Sequence, residues 1–246
     1  MEGWLLVGTS GYVYGHWRQV FYPRDVPARA WLPFYARHFA TVELNRPFYR
    51  LPDARTFRRW GGQVPPGFVF AVKASRYLTH LKRLREPGPP LSRLLRRAAA
   101  LGGALGPVLF QLPGNFHADA GRLDLFLRAL ARQRRVPALR AVLEVRHPSW
   151  LVPDVFDRLR KANVALCLAD WRACPVPGPL TADFVYVRRH GAPRRGGGYT
   201  EPMLRRDARH IREWLREGRD VHVYFNNDGG GWAIRNARRL LELLGS

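Results

Sequence analysis

Short apolar runs recur along the whole chain, and between them apolar residues return at helical spacing. Runs at 3–10, 41–45, 68–73, 107–113, 164–170, 184–188 and 221–226 read as strands, as does the run from Ala141 that Pro148 ends. Helical stretches alternate with them. One covers 28–39; others follow caps at Asp53, Ser92 and Asp119, ending near Gly61, Leu101 and Ala131; one starts at Pro153 and Asp154; the last two cover 202–217 and 232–244. The segment 74–90 reads as a loop, 171–182 is proline-rich and irregular, and 227–230 is a turn. Eight strands alternating with helices imply parallel pairing through right-handed crossovers, and eight such units close into a barrel. A doubly wound open sheet would carry a glycine fingerprint after its first strand, and Gly8-Thr9-Ser10-Gly11 is not GxGxxG. The expected fold is a single α/β domain over 1–246, a (β/α)8 TIM-type barrel irregular around its sixth unit.

What distinguishes these strands is how they end. After the first, each delivers polar groups at its C-terminal end: Glu43 and Asn45, Lys73, Gln111, Glu144 with Arg146 and His147, Asp170, Arg188 with His190, and Asn226 with Asn227. Strand ends are often polar, so one such residue carries little weight. In a parallel barrel all of them face one mouth, where active sites are built. The fifth strand is the richest, giving an acid, a guanidinium and an imidazole within four residues. Period-two alternation puts Glu144 and Arg146 on one face and His147 on the other side or in the loop.

Composition adds one strong fact. The net charge is +22, with 38 arginines against 3 lysines. Such an excess favours anionic partners, either nucleic acid or an anionic small molecule. Abundant Ala, Gly, Pro and Leu point to a GC-rich genome, which accounts for arginine replacing lysine but not for the shortage of acids. Cys167 and Cys174 have neither metal nor redox spacing, which suits a reducing cytoplasm. No signal peptide and no run near the roughly 18 apolar residues of a membrane span are read, so no membrane partner is expected.

Chemistry follows from the ring. Glu43 and Glu144, two of eight glutamates, adjoin apolar strands and call for a cationic partner among Arg146, Lys73 and Arg188. They are either an ion-pair network or a general acid and base, with His147 or His190 as proton partner and Asp170 as a further catalytic candidate. Asn45, Lys73, His80, Gln111, Arg146, Arg188, Tyr224, Asn226 and Asn227 are the ligand-binding candidates. A lysine at a strand end suits either a phosphate contact or a Schiff base. The stretch 188–198, with Arg194, Arg195 and three consecutive glycines, lies after strand seven, where many barrels hold phosphate. Interleaved guanidinium groups disfavour a divalent metal, so neither metal nor cofactor is expected. Aromatic residues beside these strand ends, Trp171 among them, offer faces for a base or a sugar.

Three function classes fit. One is an enzyme, a hydrolase or lyase, acting on a phosphate-bearing ligand such as a nucleotide, a sugar phosphate or a nucleic-acid end. The second is a non-catalytic nucleic-acid-binding protein using its basic surface. The third is a two-carboxylate sugar hydrolase, which needs carboxyls about 5–9.5 Å apart.

The motifs GTSGY at 8–12, Trp17 with FYP at 21–23, and TVELN at 41–45 with Phe48-Tyr49 resemble those of the YecE-like family, domain of unknown function 72. FAVKAS at 70–75 with Thr79-His80, LFQLP at 109–113, LEVRHPSW at 143–150, VRRHG at 187–191 and YFNND at 224–228 with Ala237 extend the resemblance over nearly the whole chain. It implies a TIM-barrel-like fold with a polar pocket at its C-terminal face, and no assigned reaction. Its barrel is similar in fold alone to the xylose isomerase and endonuclease IV group. The sequence lacks the many histidines of a multi-zinc site.

Overall fold

The computed structural model describes residues 3–192 and 196–245. Nine parallel strands form one sheet: β1 (Leu5–Ser10), β2 (Thr41–Leu44), β3 (Val69–Lys73), β4 (Leu105–Gln111), β5 (Ala141–Glu144), β6 (Ala165–Leu166), β7 (Leu168–Ala169), β8 (Phe184–Arg189) and β9 (Asp220–Phe225). Their order is β6-β5-β4-β3-β2-β1-β9-β8-β7. The two margins of the sheet, β6 and β7, are separated by Cys167 alone, so the sheet curls into a nearly closed barrel.

The expected sixth strand is therefore split, and the reason is local. β6 pairs with β5 while β7 pairs with β8, so one segment changes neighbours midway. Thr181, from the irregular segment that follows, fills part of the gap. Its hydroxyl accepts from Leu166 N–H and donates to Val164 C=O, both at 2.7 Å. A buried side chain thus satisfies backbone groups that a neighbouring strand would otherwise meet.

Around the strands lie α1 (Trp31–Tyr35), α2 (Arg46–Tyr49), α3 (Ala54–Gly61), α4 (Gly88–Ala98), α5 (Ala120–Arg132), α6 (Pro153–Lys161), α7 (Glu201–Arg216) and α8 (Trp232–Leu244). The Asp53 and Asp119 side chains cap α3 and α5, accepting from Thr56 and Arg122 N–H at 2.8 and 3.0 Å. Ser92 does not cap α4, which begins earlier, with Pro89 and Pro90 in its first turn. There the missing N–H of proline costs nothing, because no partner exists for it. The expected helix over 28–39 is shorter as well: a 3-10 turn at Ala28–Ala30 leads into α1, and hydrogen-bonded turns follow it. Within the expected loop at 74–90, Tyr77–Leu81 forms a short π-type helical turn.

Alternation sorts the strand residues into two cores. Val42, Phe70, Val72, Val108, Phe110, Leu143 and Val223 point out to the helices. Ala71, Leu109, Val142, Cys167, Phe184, Tyr186 and Tyr224 fill the barrel axis. At Gly8 the strands approach so closely that a Cβ would stand 2.2 Å from Thr41 C=O. Among the described residues no helix is long and apolar enough to cross a membrane.

Trp150 closes the turn after β5. It is fully buried, and its indole N–H donates to Phe116 C=O at 2.6 Å. Trp150→Ala should lower unfolding free energy in urea by about 3–5 kcal/mol, the range for emptying such a site.

Candidate functional site

The top layer of the barrel axis continues the same alternation. Two residues above the apolar plug stand Ser10 on β1, Glu43 on β2, Lys73 on β3, Gln111 on β4, Glu144 on β5 and Arg188 on β8. Register aligns Ser10 with Glu43 and Gln111 with Glu144. Arg188, 1% exposed, is the centre of the layer. Its Nη2 donates to Glu43 Oε1 at 2.8 Å and its Nη1 to Glu144 Oε2 at 2.6 Å. Glu43 also accepts from the Ser10 hydroxyl and, at 2.6 Å, from the Tyr186 hydroxyl. Glu144 Oε1 accepts from Arg146 Nε at 2.9 Å, with His190 Nε2 3.5 Å away. Arg146 in turn lies 4.1 Å over the Trp171 ring.

Both glutamates are fully buried. Burial pushes their carboxyls up, but Arg188 and the other donors more than offset it, holding Glu43 low and Glu144 well below the ordinary carboxylate range. The same carboxylates, against burial, keep Arg188 firmly protonated. Two anions face two guanidinium groups, and this part of the ring is neutral.

Lys73 is the remaining cation. Its Nζ lies 4.2 Å from the Phe48 ring centroid and has no hydrogen bond or ion pair among the described residues. Burial, then Arg188, lower the amine to about 8, with Glu43 and Glu144 opposing. Beside it His80 packs edge-on to Phe48, takes a hydrogen bond with Thr79 Oγ1 at 2.9 Å, and is pushed down to about 4 by burial and by Lys73. Asn45 Nδ2 donates to Ser10 Oγ, and its buried Oδ1 has no partner among the described residues.

The structure thus brings together Glu43, Asn45, Lys73, His80, Glu144, Arg146, Arg188 and His190. Other candidates are placed differently. His147, on the opposite face of its strand end, turns away; its Nδ1 meets the Ser149 hydroxyl at 2.8 Å and its ring packs 3.8 Å from that of His117. Asn227 is directed at Gly197 C=O and Asn236 Oδ1, holding the following loop. Tyr224 stands one layer down, donating to Thr41 Oγ1 at 2.7 Å. Gln111 sits in the top layer, but its amide N–H is taken by Leu112 C=O. Asp170 accepts from the His190 backbone N–H at 2.7 Å and from the Tyr199 hydroxyl, so it anchors the chain after β8. Asn226 Nδ2 lies 3.2 Å from His190 Nδ1 and steadies that ring. Gly191 and Gly197 are described, whereas Arg194 and Arg195 lie outside the described residues. Among the described residues no group of three metal-type ligands gathers.

Two participants were not singled out from the sequence. Ser10 ends a strand whose close looked merely small and polar. Tyr186 is two residues before Arg188, so alternation alone puts both on the axis; that spacing was the available signal.

A family model described as "Protein of unknown function DUF72" matches residues 6–246. The chain belongs to the DUF72 family. The UPF0759 protein YunF of Bacillus subtilis (strain 168) is 28% identical over 258 residues, covering 91% of this chain and 89% of that protein. The UPF0759 protein YecE of Escherichia coli (strain K12) is 32% identical over 117 residues, 47% of this chain and 41% of that protein. A crystal structure of a DUF72 family protein from Thermotoga maritima MSB8 superposes with TM-score 0.86 at 27% identity, over 99% of this chain and 100% of that one. The DUF72 barrel expected from the motifs is thus the fold of this chain.

The buried network carries a pH signature. Glu43 and Glu144 titrate lower folded than unfolded, so their stabilisation is present above the ordinary carboxylate value of about 4.3 and lost as pH falls. Arg188→Met should cost about 3–5 kcal/mol at neutral pH by stranding two buried carboxylates. It should also reverse the sign: without the guanidinium, burial raises both carboxyls, and acidification restores part of the loss. Urea melts of both proteins across a pH series check this.

Proposed function

We propose that the barrel mouth binds a phosphate-bearing small molecule, a nucleotide or sugar phosphate, and that the protein is an enzyme acting on it. One observation carries the reading: Glu43 and Glu144 are already matched by Arg188 and by Arg146 Nε. In the ring itself, Lys73 Nζ and the terminal amino groups of Arg146 have no hydrogen-bond partner among the described residues and are free to meet a ligand. A lysine amine and the planar end of an arginine are the groups that recognise phosphate. Trp171, stacked on Arg146, and the exposed Tyr49 beside Phe48 supply flat faces for the rest of the ligand.

The charge state of the glutamates redistributes the chemical roles. Both are kept ionised, so neither supplies a proton near neutrality. They orient cations and stabilise positive charge. Lys73, at about 8, is the group poised to exchange a proton in that range.

The same fact disfavours a two-carboxylate sugar hydrolase, whose general acid needs a raised pKa. For a nucleic-acid binder the charge is present, but its arrangement is diffuse. Exposed arginines stand on every outer helix from α3 to α8, among them Arg58, Arg96, Arg128, Arg160, Arg209 and Arg235, so among the described residues the charge is spread around the barrel.

Isothermal titration with inorganic phosphate tests the reading. Phosphate should bind, and Lys73→Met and Arg146→Met should each weaken it about tenfold, or about 1.4 kcal/mol. Unchanged affinity in both variants would remove the mouth as the anion site.

A further inference from the structure

The chain has three lysines, Lys73, Lys82 and Lys161, and the fold sets one apart. Lys82 is paired with Glu86 at 2.8 Å outside the barrel, a contact that pushes its amine up, and Lys161 is exposed at the end of α6. Lys73 rises from β3 into the mouth. Phe48 lies under its ammonium; Glu43 on β2, Glu144 and Arg146 at the end of β5, Arg188 on β8 and His80 after β3 are the charged and titratable groups around it. An amine without a hydrogen-bonded partner beside two locked carboxylates has the setting of a nucleophile rather than of a structural cation.

We propose that Lys73 is a covalent nucleophile whose neutral amine condenses with the aldehyde or ketone carbon of the phosphate-bearing ligand to form an imine. This rests on the mouth being the anion site and names the reactive group of its substrate. The Nζ lone pair forms the new C–N bond as the carbonyl π bond breaks onto oxygen, and one amine proton passes to that oxygen. The resulting hydroxyl leaves with the second amine proton as water, giving C=N. No oxidant, reductant or co-reactant enters. Protonation of the imine restores, near Glu43 and Glu144, the positive charge the ammonium held. Those carboxylates favour the iminium, the form that withdraws electrons from adjacent bonds, while burial and Arg188 oppose it as they oppose the ammonium. Arg146 is left to hold the phosphate. At the pH where Lys73 is half neutral, an ordinary lysine near 10.4 is neutral in a fraction roughly a hundredfold smaller.

The test uses the full chain with pyridoxal phosphate as a phosphate-bearing aldehyde, borohydride reduction, intact mass and peptide mapping. The expected result is a single reduced adduct on Lys73, forming faster as pH rises through about 8, slowed by inorganic phosphate, and absent from Lys73→Arg. Labelling of Lys82 and Lys161 should be at least about tenfold slower, since their amines lack that burial. Equal labelling of the three lysines, or no adduct on Lys73, overturns the proposal. If inorganic phosphate binds by titration while Lys73 stays unlabelled, the nucleophile fails and the anion site stands. If glyceraldehyde labels Lys73 as fast as pyridoxal phosphate does, and phosphate has no effect, the nucleophile stands and the phosphate reading fails. Should Lys73→Arg melt below the wild type, the site of the wild-type adduct among three lysines still decides the matter.

Discussion

Arg188 reaches two carboxylates from opposite arcs of the barrel, and the top of the structure depends on that reach. β2 supplies Glu43, β5 supplies Glu144, and β8 supplies the guanidinium between them. Removing three charges from water is expensive, and their mutual attraction recovers the cost only where geometry is good and the remaining polar atoms are satisfied. Here most are: Ser10, Tyr186 and Arg146 occupy further carboxylate positions, while Arg188 Nε and His190 Nε2 remain without partners among the described residues. A network of this kind contributes less to net stability than to uniqueness. It admits one register of β2, β5 and β8, because a slip by one residue would turn a charge into the apolar layer behind.

The same strut divides the chemistry of the mouth. Carboxylates bound to guanidinium are fixed anions, suited to placing and stabilising positive charge and unsuited to delivering protons. The burial that raises the cost of every charge nearby lowers the Lys73 amine. The guanidinium that holds Glu43 and Glu144 adds to that burial in opposing protonation of the lysine beside them. Aromatic faces finish the arrangement, with Phe48 under Lys73 and Trp171 under Arg146.

The large positive charge has a different distribution. Much of it lies on exposed faces of the outer helices, where part is paired locally, as Arg158 with Asp154 and Arg239 with Glu201 are. Arg189, one residue after Arg188, alternates outward and binds Asp207 of α7 through two hydrogen bonds. Adjacent arginines on one strand therefore serve opposite sides of the sheet, one tying the helix layer down and one crossing the axis.

Strand positions, their parallel order and the mouth as the meeting place of polar strand ends were legible in the sequence, because apolar runs and their period are local properties. So were the caps at Asp53 and Asp119, where the side chain meets a backbone N–H three residues on. The motifs also carried the DUF72 family. Tertiary structure decided the rest. Whether Glu43 and Glu144 act as acids or as fixed anions turned on a partner 145 and 44 residues away, and sequence distance says nothing of such a contact. His147, Asn227 and Asp170 are as polar as their neighbours, yet packing directs each to a hydrogen bond in the surrounding chain. The sequence left Lys73 suited to either a phosphate contact or a Schiff base; only the fold, by pairing Glu43 and Glu144 with guanidinium groups, left that amine without a partner among the described residues.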